Sequence, residues 1–257
     1  MKDTPRLVTR RHALVTGLAS VGGLLLPGCS RSLPPTYGHI LRMADNLTYA
    51  AHRTLLPGQS LVREYDRKNI SSFPAIGTTN PADPGQAFFN ATNGPAYDRL
   101  RRGEFADWRL SVEGRVARPG SWSLAELRRL PARTQITRHA CEEGWSGIAE
   151  WTGVPLSLVL DAAGMLPNAR FVQFYGHDDV ADGIDLLDAL HPQTILAYGM
   201  NGRDLSVPHG APLRVRVERQ VGSKSVKYLQ RIVVTDEFDD LGKLGPLRNG
   251  WAWYVGI

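Results

Sequence analysis

The chain has 257 residues, 42% hydrophobic, 21% charged and 8% aromatic, the composition of an ordinary globular protein. That excludes collagen, coiled coils, long disordered tails and disulfide-rich scaffolds, and no apolar run reaches the ~18 residues of a membrane span. The net charge is +5, but Lys2, Arg6, Arg10 and Arg11 against Asp3 place +3 of it before residue 29, and the +2 left argues for no nucleic-acid partner.

Residues 1–36 read as an address and a short tether. Arg10 and Arg11 precede a Gly-broken apolar run from Ala13 to Leu26 that is too short to span a bilayer. This resembles a twin-arginine export signal, with Ala13 where a larger apolar residue is usual. Leu26-Pro27-Gly28-Cys29 resembles a lipoprotein cleavage box; lipid on Cys29 would anchor the chain to a membrane surface. The alternative is an ordinary signal without lipid. The expected location is the periplasm. Twin-arginine substrates cross folded, which favours a cofactor loaded beforehand. The two cysteines are Cys29 and Cys141, so Cys141 is left over in an oxidising compartment. It is then either buried and inert or chemically employed.

Residues 37–257 read as one α+β domain, mainly β, with helices as connections. The Pro- and Gly-rich stretch 30–107 reads as loops, unusually long for a compact domain. Trp108, Leu110 and Val112 alternate with polar residues, which predicts a strand ending near Gly114. Ser123 and Glu126 form a capping box that opens a short helix to Leu130. A helix is expected over 155–163, closed by Gly164. Strands are expected over 171–175, 195–198 and 232–234, with an Asn201-Gly202 hairpin turn. Leu213, Val215 and Val217 alternate with Arg214, Arg216 and Glu218, another strand with one polar face.

Arg138-His-Ala-Cys141-Glu-Glu-Gly-Trp145-Ser146, leading into Trp151-Thr-Gly-Val-Pro-Leu156, resembles the molybdenum-ligand segment of the sulfite-oxidase-like molybdopterin oxidoreductases. That resemblance implies mixed sheets of the sulfite oxidase molybdopterin-binding fold, one molybdenum-molybdopterin per chain, and Cys141 as its protein ligand and catalytic residue. A soft thiolate suits a metal already held by sulfur. Further matches follow in order. Phe174 to Asp178 resembles the strand end that meets the pterin. Leu196 to Gly202 resembles the hairpin before the cofactor loop. His209 to Arg214 resembles the pterin-contacting segment, and Gly222 to Leu229 the phosphate-side loop. A Gly-led turn with Lys224 and Lys227 would suit phosphate, and Arg214 offers planar paired donors. Ser71 and Ser72 stand in the segment that covers the cofactor in the family. The implied cofactor contacts are therefore Ser71, Ser72, Asp178, His209, Arg214, Ser225, Val226 and Lys227. The resemblance spans roughly residues 55–238. His139, His177 and His191 read as structural, His39 and His52 as loop residues, and Trp251, Trp253 and Tyr254 as sealing aromatics.

The implied reaction is oxygen-atom transfer at molybdenum. No C-x-x-C-H heme motif and no flavin fingerprint occurs. Electrons would be exchanged with a separate protein, such as a membrane heme or quinone-linked subunit. Sulfite oxidisers follow the ligand cysteine closely with paired arginines, which suits a dianion. Here Glu142 and Glu143 follow instead, then Trp145, as in the periplasmic methionine-sulfoxide reductase catalytic subunits. The expected substrate is a neutral S-oxide or N-oxide, which is reduced. A sulfite oxidase-type dehydrogenase is the alternative, and His209 with the hairpin segment resembles that branch. Rivals from other classes are a cysteine hydrolase, for which no local signature exists, and a non-catalytic lipoprotein that binds pterin or a partner. The family's dimers carry an added C-terminal domain; about twenty residues follow Val234, so a monomer is expected.

Overall fold

Two sheets, one mixed and one antiparallel, share the apolar positions that the alternating segments supply. The computed structural model describes residues 37–56, 58, 60–72, 79–86, 89–237 and 252–257. The export signal, the Cys29 box, Phe73-Pro74 and Trp251 lie outside the described residues. The chain divides into units Met1–Ile40 and Leu41–Ile257, and apart from the start of the helix that begins at Tyr37 everything below lies in the second. Among the described residues no helix is long and apolar enough to cross a membrane.

The first sheet has strand order β2-β1-β10-β5-β6, formed by β1 Arg109–Gly114, β2 Gly120–Ser123, β5 Phe171–Gly176, β6 Ala181–Asp185 and β10 Leu229–Thr235. Leu110 and Val112 of β1 point inward and are fully buried, as the alternation predicts. Strand β1 runs parallel to β10, with Val112 opposite Ile232. The second sheet has order β3-β4-β7-β8, with β9 paired to β7; its strands are β3 Arg133–Ala140, β4 Ser146–Pro155, β7 Ile195–Met200, β8 Arg203–Asp204 and β9 Arg214–Arg216. The turn from β7 to β8 is Asn201-Gly202, with φ of 52° and 75°. Those paired positive angles are what a type I′ hairpin demands and what Asn-Gly tolerates.

Local signals set most boundaries. In α3, Leu124–Leu127, Ser123 Oγ accepts from Glu126 N while Ser123 N donates to Glu126 Oε2. The helix is shorter than expected and runs on to Leu130 only as turns. Helix α4, Leu156–Ala163, buries Leu156, Val159, Leu160 and Ala163 and stops at Gly164, whose φ is 69°. That i, i+3, i+4, i+7 stripe lies in the main core, where each large apolar side chain contributes about 1.5–3 kcal/mol.

Two expectations fail. The stretch 30–107 is not all loop: it contains α1, Tyr37–Leu55, and α2, Gly94–Arg102. Helix α1 is anchored by polar and aromatic groups, not by an apolar stripe. Tyr49 Oη donates to Asp185 (2.8 Å), Arg53 pairs with Asp185 and Asp188 (2.8 Å each), and Tyr49 packs on Trp253 and Tyr254. His52, within that helix, hydrogen-bonds Tyr254 at 3.2 Å. Trp253 and Tyr254 thus seal this corner as expected. The second failure is β9, which has no polar outer face. Arg214 and Arg216 are both buried, and Arg216 pairs with Glu218 at 2.8 Å.

Candidate functional site

The hairpin β3–β4 is in register from Arg133 opposite Gly153 to Ala140 opposite Ser146, which leaves Cys141 at its tip. Cys141 N donates to Trp145 O (2.8 Å) and Gly144 N to Cys141 O (3.1 Å), so the backbone around the sulfur is fixed. The thiol is free and half-buried. Its Sγ lies 3.5 Å from Glu142 Oε2 and 3.8 Å from Glu143 Oε2, and Glu143 also accepts from Trp145 Nε1 at 2.8 Å. Burial pushes the thiol up to about 11, and the Glu142 carboxylate adds to the rise. Cys141 therefore holds its proton near neutrality until a cation displaces it.

Three further segments meet this tip. A built Cβ on Gly222 would come within 2.6 Å of His139 Nε2 and 3.1 Å of Ala140 O, so only glycine lets the 222–228 loop lie this close. The turn 207–210 packs on the same loop: Tyr228 N donates to Gly210 O (3.2 Å), and Gly210 has a φ of 100°. The end of β5 joins it through His177 N to Tyr228 O (3.0 Å). Arg214 ties two of these segments together, donating to His209 O (3.1 Å) and Ser225 O (3.0 Å). Lys227 Nζ donates to Pro208 O at 2.8 Å.

The expected contacts fall into two groups. Asp178, His209, Arg214, Ser225, Val226 and Lys227 lie on segments that meet one another, and Arg214 and Lys227 lie within electrostatic reach of Cys141. Both would stabilise a thiolate at Cys141, and Lys227 also feels Asp178. Ser71 and Ser72 arrive from another direction. Ser71 exchanges two hydrogen bonds of 2.9 Å with Ile148 of β4, and Ile148 lies opposite Arg138, three residues before Cys141. Several roles shift. The donors of Arg214 go to backbone carbonyls, so it fastens the loops. Ser225 Oγ accepts from Val217 N at 3.2 Å. Lys224 is fully buried against Asp182 (2.6 Å), which leaves Lys227 alone to face the site from that loop. Sequence reading missed Arg216, which bonds His139 Nδ1 and lies 4.5 Å over Trp151. It was hidden because the alternation of β9 resembles a solvated face.

Burial, then the neighbouring guanidinium Arg214, pushes Lys227 down to about 8; burial, then Arg216, also lowers Arg214. The guanidinium stays charged nonetheless. Among the described residues Arg214 makes no ion pair. The buried charge of Arg214 thus has no carboxylate of its own among the described residues. An anionic dithiolene and phosphate group relieves that deficit, and a metal cation suits the sulfur flanked by carboxylates. The residues fit the cofactor. Burial, then Arg214 and Lys227, pushes His209 down to about 4, so it stands neutral.

His177 is 8% exposed, and burial alone pushes it down to about 4. An unfolded histidine takes its proton near 6.5. The neutral buried ring therefore contributes stability above that pH, and the contribution is lost as pH falls from about 6.5 towards 4. The full loss is about 3 kcal/mol. Between pH 7 and pH 4 the melting temperature of the wild type is expected to fall further than that of His177→Gln. Equal falls in calorimetry would show that His177 already titrates normally.

A mixed sheet and an antiparallel sheet, with a lone thiol near buried Arg214 and half-buried Lys227, fit a metal-cofactor oxidoreductase. Residues 98–240 match the family described as oxidoreductase molybdopterin binding domain. A protein of Azospira oryzae named "Putative protein-methionine-sulfoxide reductase subunit YedZ1" is 40% identical over 249 residues, 96% of this chain and 87% of that one. The "Protein-methionine-sulfoxide reductase catalytic subunit MsrP" of Xanthomonas campestris pv. campestris is 30% identical over 238 residues, 86% of this chain and 69% of its own. The sulfane dehydrogenase SoxCD of Paracoccus pantotrophus matches with a TM-score of 0.51 and 25% identity, over 53% of this chain and 40% of that one. The chain belongs to the oxidoreductase molybdopterin binding domain family, and is a molybdenum-cofactor-dependent oxidoreductase with the sulfite-oxidase-like fold.

Proposed function

We propose that this enzyme reduces a neutral S-oxide, of the methionine sulfoxide class, in the periplasm. The observation that carries this reading is the pair of carboxylates 3.5 and 3.8 Å from Cys141 Sγ. At ~6 Å and an effective dielectric of ~20, each costs a unit anion on the order of 3 kcal/mol. A dianion such as sulfite is penalised more, and a neutral sulfoxide is not. The names of the two methionine-sulfoxide reductase relatives support the same substrate class. Bound at Cys141, the molybdenum cofactor supplies two-electron oxygen-atom transfer. Around it, Ser71, Ser72, Asp178, His209, Val226 and Lys227 would line the pterin and its phosphate, while Arg214 and Ser225 fasten the loops that carry them. Glu142 and Glu143 screen the mouth against anions, and the Trp145 indole, fixed by Glu143, walls it. Electrons come from a separate protein.

Steady-state kinetics of the cofactor-loaded enzyme test this reading. With reduced dye, methionine sulfoxide is expected to give a kcat/KM at least about 100-fold above that of sulfite with an acceptor, the factor that a ~3 kcal/mol penalty sets. Efficient sulfite oxidation without sulfoxide turnover would overturn it in favour of the dehydrogenase, the direction that the sulfane dehydrogenase likeness suggests. Residues 1–36 support export by the twin-arginine route. Replacing Arg10 and Arg11 by lysine is expected to hold loaded enzyme in the cytoplasm; unchanged export in cell fractions removes that claim.

A further inference from the structure

The described surface beside the Cys141 hairpin carries two cations with no carboxylate of their own. Strand β3 is the outer strand of its sheet, and Tyr65 N donates to Ile136 O on it at 2.8 Å. The guanidiniums of Arg63 and Arg138 lie over the Tyr65 ring, 4.9 and 5.8 Å from its centroid. Both arginines are exposed. The basic residues around them are neutralised: Arg67 by Glu150, Lys68 by Asp66, and Arg133 by Glu64. Arg63 and Arg138 make no ion pair among the described residues. Arg138 lies on β3, three residues before Cys141 at the hairpin tip, a distance of about 10 Å at the rise of a β-strand. The charges are thus sorted. The mouth is acidic through Glu142 and Glu143, and the flank is basic.

We infer that Arg63, Tyr65 and Arg138 form the docking surface for the acidic face of the electron-donating protein. The inference rests on the reductase reading above. Each sulfoxide reduced takes two electrons, which the donor loses, and two protons from water, and its oxygen leaves as water. No heme or flavin motif stands in the sequence to supply those electrons. A donor has to approach the metal without blocking the mouth. An acidic face is repelled by Glu142 and Glu143 and drawn to the flank. Tyrosine and arginine are also the side chains most enriched where proteins dock.

The test uses the cofactor-loaded enzyme with methionine sulfoxide. Reduced flavodoxin, an acidic protein donor, is the probe, and reduced methyl viologen is the control. In wild type, kcat/KM for flavodoxin is expected to fall steeply as ionic strength rises, because exposed charge is screened within ~10 Å at 0.1 M salt. Arg63→Glu with Arg138→Glu is expected to lower it at least tenfold and to flatten the salt dependence. Viologen-driven turnover should change less than twofold. An unchanged flavodoxin rate in the double variant overturns the inference. So does a wild type that viologen reduces but flavodoxin does not. Binding to phosphatidylglycerol vesicles that the double variant loses, with flavodoxin kinetics unchanged, assigns the patch to a lipid surface instead. If viologen drives no turnover, the reductase reading fails. Docking is then decided by calorimetric titration with oxidised flavodoxin, where absence of binding to wild type overturns it.

Discussion

Cys141→Ser is expected to abolish turnover and leave the fold intact. The side chain sits at a hairpin tip, outside the buried clusters. Its backbone is held by the Trp145 carbonyl and the Gly144 amide, neither of which the substitution touches. A surface change of this kind shifts stability within about 0.5 kcal/mol. If Cys141 holds the metal as proposed, the chemistry changes far more, because a hard hydroxyl replaces a soft thiolate. Mutating residues that merely support a metal ligand costs 10–100-fold, so losing the ligand is expected to cost more than about 100-fold in kcat. Molybdenum content should fall less than activity, since on the proposed reading the pterin and phosphate would be held from the 207–210 and 222–228 segments. Dye-linked turnover, metal analysis and a melting curve on the same preparation check this. Full turnover in the serine variant would remove Cys141 from the metal.

Arg214→Leu is expected to strike stability and cofactor retention together. The guanidinium is 4% exposed and bridges the carbonyls of His209 and Ser225. Removing it leaves two carbonyl oxygens without donors, at about 1–3 kcal/mol each. Release of a buried cation that lacks an anionic partner offsets part of that. The balance is about 2–4 kcal/mol, a fall of roughly 5–15 °C in Tm for a domain of this size. Cofactor-free protein should show the fall, and loaded protein should in addition lose molybdenum, because the turn with His209 and the loop with Lys227 are no longer fastened. Arg214→Lys keeps the charge but not the paired donors, so it is expected to recover only part of either property. An unchanged Tm with full molybdenum content would mean the loops are held by other contacts.

Local chemistry was legible wherever one short stretch carried its own partner. Ser123 reaches Glu126 three residues on, Gly164 ends a helix whose buried stripe lies within eight residues, and Asn201-Gly202 makes its own turn. The order of motifs around Cys141 likewise pointed to the cofactor family that the comparisons bear out. What sequence could not show were pairings across the chain. Helix α1 was read as loop because Tyr49 meets Asp185, 136 residues away, and no apolar period marks that contact. Lys224 was read as a phosphate donor because its partner, Asp182, is 42 residues earlier. Arg216 was passed over because alternation along β9 cannot reveal that the strand is flanked at both edges, by β7 and by Val226 of the 222–228 loop, nor that Arg216 pairs with Glu218 in the interior. Capping, turn chemistry and periodicity are local quantities, whereas the neutralisation of a buried charge depends on which distant strand the fold lays beside it.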